Sequence, residues 1–281
     1  MKKISVVILN YCVAELAIKS VLSVKRSTYK NIEIIVVDNN SGDDIGERLK
    51  DFPEVDFIQS KDNSGYSGGN NLGIKKALLN GADYIFILNS DATVESEAIA
   101  SLVEAAEEGV GDLLGPKILF PESKSIWYAG GIFDRNNVLG KHRGVDEKDE
   151  GQYDKIEETD YVTGAALFVK AQVFEKIGLL DEKYFLYYED SDFCFRAKSA
   201  GFKVSYVPKA LVYHANAKST GLGSPVQDYY ITRNRMLFAS KFLTLRTRFA
   251  LLREGVKNIG NPVRRKALID FLTGKFGKGD I

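Results

Sequence analysis

Three features of the sequence predict an α/β fold with a doubly wound, mostly parallel sheet. Strand-forming runs alternate with helical patterns through the first half of the chain, as they do in repeated strand–helix–strand units. The run at residues 84–88 is wholly apolar and stops at Asn89-Ser90-Asp91, which is typical of a strand buried on both faces of a parallel sheet. After Pro116 the alternation weakens, so we expect a smaller antiparallel part to follow.

Each element follows from a local pattern. Short apolar runs predict strands, apolar residues three or four positions apart predict helices, and Gly201 is a typical helix end. The predicted strands are residues 5–9, 33–37, 55–59, 84–88, 126–134, 162–170, 204–207 and 211–214. The predicted helices are residues 14–25, 67–80, 95–108, 191–200 and 227–242. The charged segment 141–160 lacks periodicity and is predicted to be a loop without regular structure.

The charge distribution divides the chain. The 38 Lys/Arg and 38 Asp/Glu cancel, which argues against a generic nucleic-acid-binding protein. Residues 241–281, however, carry ten Lys/Arg and three Asp/Glu, a net charge of +7. We therefore predict one domain at residues 1–240, in halves 1–115 and 116–240, followed by a basic helical tail at 241–281.

Cysteine usage and hydropathy indicate the compartment. Cys12 and Cys194 lie in segments predicted to be buried, so no disulfide is expected and a reducing compartment is indicated. The apolar run at residues 4–9 is too short for a secretory signal, and no run approaches the ~20 residues of a membrane span. We therefore expect a cytoplasmic protein.

Polar residues follow three of the predicted strands. Asn10-Tyr11 ends the first, Asp38 the second and Asp91 the fourth. The carboxyl ends of parallel strands share one edge, where open α/β sheets bind their ligands. There Asp38 could accept from a ring N–H of a nucleobase, and Asp91 could face a polyphosphate or its metal. The plainer alternatives are a polar turn at Asp38 and a helix cap at Asp91 or Thr93.

A glycine-rich segment, residues 63–73, leads into a predicted helix. Glycines let the backbone approach a ligand, and a helix N-terminus favours anions. No glycine stands in the first strand-to-helix turn, where a dinucleotide-binding dehydrogenase would require it. Gly68 and Gly69 fit either ligand contact or close helix packing.

Two acids stand at a predicted helix start. Glu189 and Asp190 follow the largely aromatic segment 184–188. An acid in an apolar rim can have its pKa raised toward that of a useful general base. The alternative is N-terminal capping, which the helix dipole favours. Asp192 is assigned to a structural pair with Arg196, four residues further on.

Further polar residues are open to two interpretations. His214 ends the last predicted strand and is either structural or a ligand, whereas His142, in the charged segment, is taken as structural. Arg233 and Asn234 lie in a predicted helix. Arg233 could reach a phosphate or form a structural ion pair.

In the order of these motifs the chain resembles the inverting family 2 glycosyltransferases with a GT-A fold, particularly their rhamnosyltransferase-like branch. The resemblance covers nearly the whole chain and runs through residues 4–11, 36–41, 63–73, 88–92, 163–166, 185–196, 214 and 229–234. It implies that residues 1–115 bind the nucleotide and that residues 116–240 provide the acceptor and catalytic side.

The resemblance also implies individual roles. Asp190 looks like the catalytic base, with Glu189 beside it, and Asp91 and His214 look like ligands of a divalent cation, Mg²⁺ or Mn²⁺. Asp38 looks like the acid that reads the nucleobase. Residues expected to bind the nucleotide sugar are Asn10, Tyr11, Asp38, Asn40, Asn63, Gly68, Asn71, Asn89 and Arg233. Asn89 replaces the family's usual acid, so metal affinity is expected to be modest and to depend on the donor phosphates.

The implied activity is metal-dependent, inverting transfer of rhamnose or a similar hexose in cell-envelope polysaccharide biosynthesis. The expected donor is a dTDP- or UDP-sugar, and the acceptor is a hydroxyl of a saccharide or lipid-linked saccharide. The basic tail suggests peripheral attachment at the inner face of the cell membrane, although a helix packed on the domain with a solvated basic face explains it equally. Two other classes stay open: an inactive nucleotide-sugar sensor or scaffold, and a sugar nucleotidyltransferase.

Overall fold

The computed structural model describes residues 1–215 and 223–281. Its strands are β1 (Ile4–Asn10), β2 (Ile32–Asp38), β3 (Asp56–Gln59), β4 (Tyr84–Asn89), β5 (Ala92–Val94), β6 (Leu113–Leu119), β7 (Ile126–Tyr128), β8 (Gly131–Asp134), β9 (Leu139–His142), β10 (Glu157–Glu158), β11 (Ala166–Lys170) and β12 (Val204–His214). Its helices are α1 (Ala14–Lys25), α2 (Ile45–Arg48), α3 (Gly65–Leu79), α4 (Ala98–Glu107), α5 (Ala171–Ile177), α6 (Glu189–Ser199), α7 (Pro225–Phe242), α8 (Leu245–Lys257) and α9 (Pro262–Leu272).

The main sheet of the described residues has the order β10-β12-β6-β11-β4-β1-β2-β3, with β5 paired to β12 and β7 paired to β6. The pairs β1–β2, β1–β4, β2–β3 and β6–β12 are parallel. Strand β11 runs antiparallel to both of its neighbours, β4 and β6. The predicted mostly parallel sheet with a smaller antiparallel part is therefore confirmed. The apolar strand β4 lies between β1 and β11, where residues 84–88 are buried.

The sequence pattern did not predict strand β6, because this strand contains Pro116. A proline has no N–H to donate and is usually confined to sheet edges and bulges. Pro116 pairs with Val207, directly before a register shift in β12 between Val207 and Leu211. The shift accommodates the proline within the sheet. Residues 204–207 and 211–214, predicted as two strands, form the single strand β12.

Two other predictions about local structure are wrong. Residues 92–94 pair with β12 as strand β5, so α4 begins later than predicted, at Ala98, and neither Asp91 nor Thr93 caps it. The segment 141–160, predicted to lack regular structure, contributes the end of β9 and the short strand β10. Both errors have one cause, because short strands that depend on distant partners leave little local pattern.

The two cysteines differ in exposure. Cys194 is buried, whereas Cys12 is exposed, so the prediction that both are buried is wrong for Cys12. Cys12 lies two residues after the end of β1 and has a φ of 59°, which is outside the strand region. Both cysteines are free, in agreement with the expectation of no disulfide.

The tail is helical, as predicted. Helices α8 and α9 pack on each other and on α7, and the Tyr229 hydroxyl of α7 donates to Asp270 of α9 at 2.6 Å. Among the described helices, none is long and apolar enough to span a bilayer. The predicted division at residue 240 falls in the last turn of α7.

The segment before α6 has a strained backbone. Phe185, Tyr187 and Tyr188 have φ values of 61°, 67° and 74°, in a left-handed region that bulky residues rarely adopt. The segment lies on the start of α3, where the Tyr66 N–H donates to the Phe185 carbonyl oxygen at 2.6 Å. A Cβ atom on Gly65 would collide with that oxygen and with the Phe185 ring.

Gly65→Ala is therefore expected to destabilise the protein more than Gly81→Ala. Both glycines have a φ of 73°, but a Cβ on Gly81 would meet nothing within 4 Å. The left-handed backbone alone should cost about 1–2 kcal/mol in either variant. Overpacking against Phe185 should add roughly 1–3 kcal/mol in Gly65→Ala. Urea unfolding measures both free energies, and equal losses would contradict the close contact.

Candidate functional site

Asp38, at the carboxyl end of β2, is buried in a polar turn. Its carboxylate accepts from Asn10 Nδ2 at 2.9 Å, from Gln59 Nε2 at 2.8 Å and from the Ser41 N–H at 3.2 Å. Burial alone would raise the pKa of Asp38, but these hydrogen bonds outweigh burial and hold the pKa below its ordinary value. The polar turn considered as an alternative is therefore present, and it keeps an ionised carboxylate at the sheet edge.

The other residues expected to bind the donor differ in exposure. Tyr11 and Asn40 are exposed near Asp38. Asn63 Oδ1 instead accepts from the Gly65 N–H at 2.9 Å, and Asn71 is buried and bonds to the backbone between α5 and α6. Asn63 and Asn71 thus shape the start of α3 and its packing, and donor contact by either side chain stays a prediction.

The glycines of α3 are explained by packing. A Cβ atom on Gly69 would collide with the methyl groups of Leu9, and one on Gly68 would collide with the side chain of Ser64. The missing side chain of Gly69 lets α3 lie close against β1, and that of Gly68 leaves room for Ser64 at the N-terminus of the same helix. Ligand contact by Gly68 stays a prediction.

Asp91, His214 and Asn89 come together where β4 and β12 end. His214 Nε2 lies 3.0 Å from Asp91 Oδ1 and 3.3 Å from Asn89 Nδ2. The pairing of β5 with β12 sets Ala92 opposite His214, which brings residues that are far apart in sequence side by side. The predicted metal ligands are therefore neighbours.

This group fits a small divalent cation. Adjacent ligands of an octahedral Mg²⁺ at ~2.1 Å are about 3.0 Å apart, and Asp91 Oδ1 and His214 Nε2 are separated by 3.0 Å. Turning the Asn89 amide would present its oxygen to the same point. Within residues 1–215 and 223–281, no group of three or more His, Cys, Asp or Glu side chains is arranged to hold a metal ion. A cation here would thus rely on few protein ligands and on the oxygens of a bound diphosphate.

Glu189 and Asp190 begin α6 but differ in accessibility. Glu189 is 6% exposed and its Oε2 has no partner among the described residues. Burial and the neighbouring Asp190 charge raise the pKa of Glu189 well above its ordinary value. Asp190 is half-buried and accepts from the Gly164 N–H at 3.0 Å and from the Ser191 N–H at 2.6 Å. Burial raises the pKa of Asp190, and the hydrogen bonds, which lower it, only partly offset this effect. Asp190 is the one of the two that an acceptor could reach.

Tyr66 is a site residue that the sequence patterns did not indicate. It lies in the first turn of α3, and its hydroxyl donates to the Gly164 carbonyl oxygen at 2.5 Å. Burial, followed by the charges of Glu189, Asp190 and Asp91, raises the pKa of Tyr66 well above its ordinary value. Gly164 also donates its N–H to Asp190, and the carbonyl oxygen of the next residue, Ala165, accepts from the Asn89 N–H at 3.0 Å. Residues 164–165 thus link the predicted base to the end of β4, close in sequence to Asp91. The sequence signal for Tyr66 is an aromatic residue within a glycine-rich helix start.

Arg233 does not extend to the sheet edge. It is entirely buried, and its guanidinium donates to the carbonyl oxygens of Lys183 and Tyr184, both at 3.2 Å. The phosphate contact considered for Arg233 is not supported by this placement, because a buried guanidinium that contacts the backbone is not open to a ligand. Arg233 instead fixes the backbone that leads to α6.

Asn234 holds the strained segment directly. Its Nδ2 lies 2.8, 2.8 and 2.9 Å from three carbonyl oxygens of that segment, those of Tyr184, Leu186 and Tyr187. Backbone strain of this kind persists only where the surroundings stabilise it. Helix α7 therefore positions the residues that precede Glu189 and Asp190.

The structural pair predicted within α6 is present. Arg196 Nε lies 2.6 Å from Asp192 Oδ2, and Lys241 of α7 forms a second ion pair with Asp192. The negative charge of Asp192 is thereby compensated by two cations, whereas Glu189 forms no ion pair with the described residues. The Lys241–Asp192 pair attaches the first turn of α6 to the last turn of α7.

This sheet, with its polar edge, is a GT-A fold. A solved structure of GalNAc-T7 with UDP, GalNAc and Mn²⁺ shares the fold, with a TM-score of 0.62 at 17% identity. The match covers 83% of this chain and 51% of that one.

Residues 5–178 match the model of glycosyl transferase family 2, and the chain belongs to that family. A low-salt glycan biosynthesis hexosyltransferase of Haloferax volcanii is 28% identical over 86% of this chain and 76% of its own length. A dTDP-rhamnosyl transferase of Shigella flexneri is 28% identical over 75% of this chain and 72% of its own length. The resemblance to the rhamnosyltransferase-like branch is thus confirmed, and the protein is an enzyme of the hexosyltransferase class.

Glu189→Gln is expected to stabilise the protein at neutral pH and to change little near pH 4. The pKa of Glu189 is raised in the folded state, so the folded state binds more protons and the free energy of unfolding falls as pH rises above the unfolded pKa. Glutamine removes that loss because it has no proton to release. Thermal unfolding from pH 4 to 8 should show a widening gap of about 2–4 °C for each kcal/mol recovered.

The matched control is Glu122→Gln, at an exposed glutamate, which should show no such pH dependence. A stability difference between wild type and Glu189→Gln that does not vary with pH would contradict the burial of an ionisable acid.

Proposed function

We propose that the protein is an inverting transferase of rhamnose or a similar hexose, acting from a dTDP- or UDP-sugar on a hydroxyl of a saccharide or lipid-linked saccharide. One observation carries the proposal: the Gly164 N–H bonds to the half-buried Asp190 at 3.0 Å, and the adjacent Ala165 carbonyl oxygen accepts from the Asn89 N–H at 3.0 Å, next to the Asp91–His214 pair. Direct sugar displacement needs a base for the attacking hydroxyl beside a centre that stabilises the leaving diphosphate. The dTDP-rhamnosyl and glycan-building relatives support the donor and the place in cell-envelope polysaccharide synthesis.

In this mechanism Asp190 takes the proton of the acceptor hydroxyl as that oxygen attacks the anomeric carbon. The attack comes from the face opposite the departing nucleoside diphosphate, so the configuration inverts in one displacement without a covalent enzyme intermediate. Asp91 and His214 would hold Mg²⁺ or Mn²⁺, which when bound offsets the charge that grows on the diphosphate. Asp38 and residues 10–11 hold the nucleobase.

The donor and metal assignments are tested together by thermal shift with UDP-, dTDP- and GDP-sugars, with and without Mn²⁺. A donor at about 100 times its Kd stabilises the folded state by about 2.7 kcal/mol, and we expect one nucleotide class to do so only with Mn²⁺. Asp91→Ala should abolish the Mn²⁺ dependence and weaken donor binding, whereas Asp51→Ala, at an exposed aspartate, should not. Unchanged metal response in Asp91→Ala would exclude Asp91 as a ligand.

Asp190→Asn is expected to lower turnover by about 10²–10⁴-fold, because a general base contributes roughly that factor. Donor binding should be retained, since Asp190 acts on the acceptor. Initial rates of nucleoside diphosphate release give the turnover, and the thermal shift with donor gives the binding. Loss of donor binding in a folded Asp190→Asn protein would count against the assignment.

A catalytically inactive nucleotide-sugar sensor or scaffold is the second candidate. The replacement of an acid by Asn89 favours it, and the accessible carboxylate of Asp190 opposes it. Transfer to an acceptor, or hydrolysis of the bound donor, would separate the two. A sugar nucleotidyltransferase fits less well, because residues 10–13 provide neither a glycine nor a basic residue after β1.

Peripheral membrane attachment through α8 completes the proposal. The outward face of α8 carries three strongly exposed apolar side chains, Leu245, Phe249 and Val256, at 67%, 67% and 59% exposure. At 3.6 residues per turn these positions lie within about 40° of one another. Arg246 and Arg253 are exposed beside them, while Leu251 and Gly255 face the protein. An apolar stripe with a basic flank suits an anionic lipid surface that carries a lipid-linked acceptor.

Co-sedimentation with vesicles of phosphatidylglycerol and phosphatidylcholine tests this attachment at low salt. Replacing Arg246 and Arg253 by Gln should weaken binding by about 2 kcal/mol, roughly 30-fold, at about 1 kcal/mol per basic residue. Replacing Lys50 and Lys61, exposed lysines outside the tail, by Gln removes the same charge and should have little effect. No binding by wild type, or equal losses in both double variants, would rule out attachment through α8.

A further inference from the structure

The one tryptophan of the chain, Trp127, lies between two histidine rings. Its ring centroid is 4.3 Å from that of His142 and 4.5 Å from that of His214, and both pairs meet edge to face. Trp127 belongs to β7, His142 to β9 and His214 to the end of β12. Three elements that are separate in sequence therefore meet at this indole, next to the Asp91–His214 pair.

His142 contacts both the ring and the backbone of Trp127. Its Nδ1 lies 3.1 Å from the Trp127 carbonyl oxygen, and because a carbonyl oxygen only accepts, Nδ1 carries the proton. The Tyr128 ring meets the same imidazole edge to face at 5.2 Å. Burial lowers the pKa of His142 to about 4, so the ring is neutral at physiological pH. His142 is thus an uncharged support fixed to the backbone of β7.

The orientation of His214 lacks the contact that usually fixes a metal-binding histidine. In most such sites the second ring nitrogen donates to a carboxylate, carbonyl or water, and this bond sets the ring. His214 Nδ1 is buried and has no hydrogen-bond partner among the described residues. The contacts that remain are Asp91 and Asn89 at Nε2 and the indole of Trp127.

We propose that Trp127 is a positioning residue of the cation site, whose indole, supported by His142, fixes the His214 imidazole with Nε2 toward Asp91. Edge-to-face packing takes the place of the hydrogen bond to the second ring nitrogen. This role lies beyond the transfer reaction itself but rests on the cation site of the proposed function. It also places the only indole of the chain one imidazole ring away from an ion that would bind here.

The first experiment follows tryptophan emission during a titration of the full chain with Mn²⁺ alone. Mn²⁺ is paramagnetic and would bind one imidazole away from Trp127, so we expect saturable quenching. Asp91→Ala should lose the quenching, because it removes a ligand and leaves the Trp127 contacts in place. If the protein binds Mn²⁺ but its tryptophan emission does not change, the proposal is overturned.

The second experiment measures Mn²⁺ affinity from the electron paramagnetic resonance signal of the free ion, which does not require the tryptophan. Trp127→Leu is expected to weaken Mn²⁺ binding by about 10–100-fold, the usual effect of removing a group that orients a ligand. Trp127→Phe keeps an aromatic edge and should bind Mn²⁺ nearly as wild type does. Thermal unfolding verifies that both variants are folded.

The outcomes separate the positioning role from the cation site. If wild type and Trp127→Leu bind Mn²⁺ equally and differ only in thermal stability, Trp127 merely packs, and the positioning role is refuted while the cation site stands. If wild type binds no Mn²⁺ even with a nucleoside diphosphate present, both the positioning role and the cation site are refuted. The donor screen then tests nucleotide-sugar binding independently. Weak binding by Trp127→Leu with recovery in Trp127→Phe supports the proposal.

Discussion

The site depends on the contact between α7 and the strained segment that precedes α6. Left-handed residues cost of order 1–3 kcal/mol each, and three of them fall within residues 185–188. Asn234 and Arg233 bond to the carbonyl oxygens of this segment from one side, and the Tyr66 N–H does so from the other. These bonds stabilise a backbone that would otherwise relax, and the relaxed backbone would not direct Asp190 to Gly164.

Gly164 links the two sides of the site. Its N–H donates to Asp190, and its carbonyl oxygen accepts from the Tyr66 hydroxyl. A single residue thus connects the start of α6 to the start of α3. The contrast with Asp192, which has two cationic partners, shows where the protein compensates a buried charge. Glu189 has no such partner among the described residues, so its burial disfavours the charged carboxylate and raises its pKa.

Much of this arrangement could be predicted from local sequence, and the remainder had no local signal. The apolar run of β4 and its polar end predicted both the centre of the sheet and the place of Asp91, because burial on two faces and strand termination are local properties. The strand β6 could not be recognised, because the accommodation of Pro116 depends on a bulge in β12, a strand about ninety positions later.

The role of Arg233 was open for the same reason. A basic residue on a helix looks alike in sequence whether it faces a phosphate or a buried carbonyl oxygen, and the choice depends on a segment fifty positions earlier. The roles of Tyr66 and Trp127 likewise depend on contacts with residues that are distant in sequence. The identity of the acids could be inferred from the sequence, whereas their supporting residues required the fold.

The antiparallel strand β11 has a consequence for how the two halves of the domain could be exchanged between related enzymes. It lies between β4, from the half predicted to bind the nucleotide, and β6, which contains the predicted division at residue 115. A fragment that ended there would leave the apolar edge of β4 unpaired, and such an edge favours aggregation. A chimera with a new acceptor half would therefore need to take β11 and all of β6 together with that half, and the donor half on its own is unsuited to serve as an independent module.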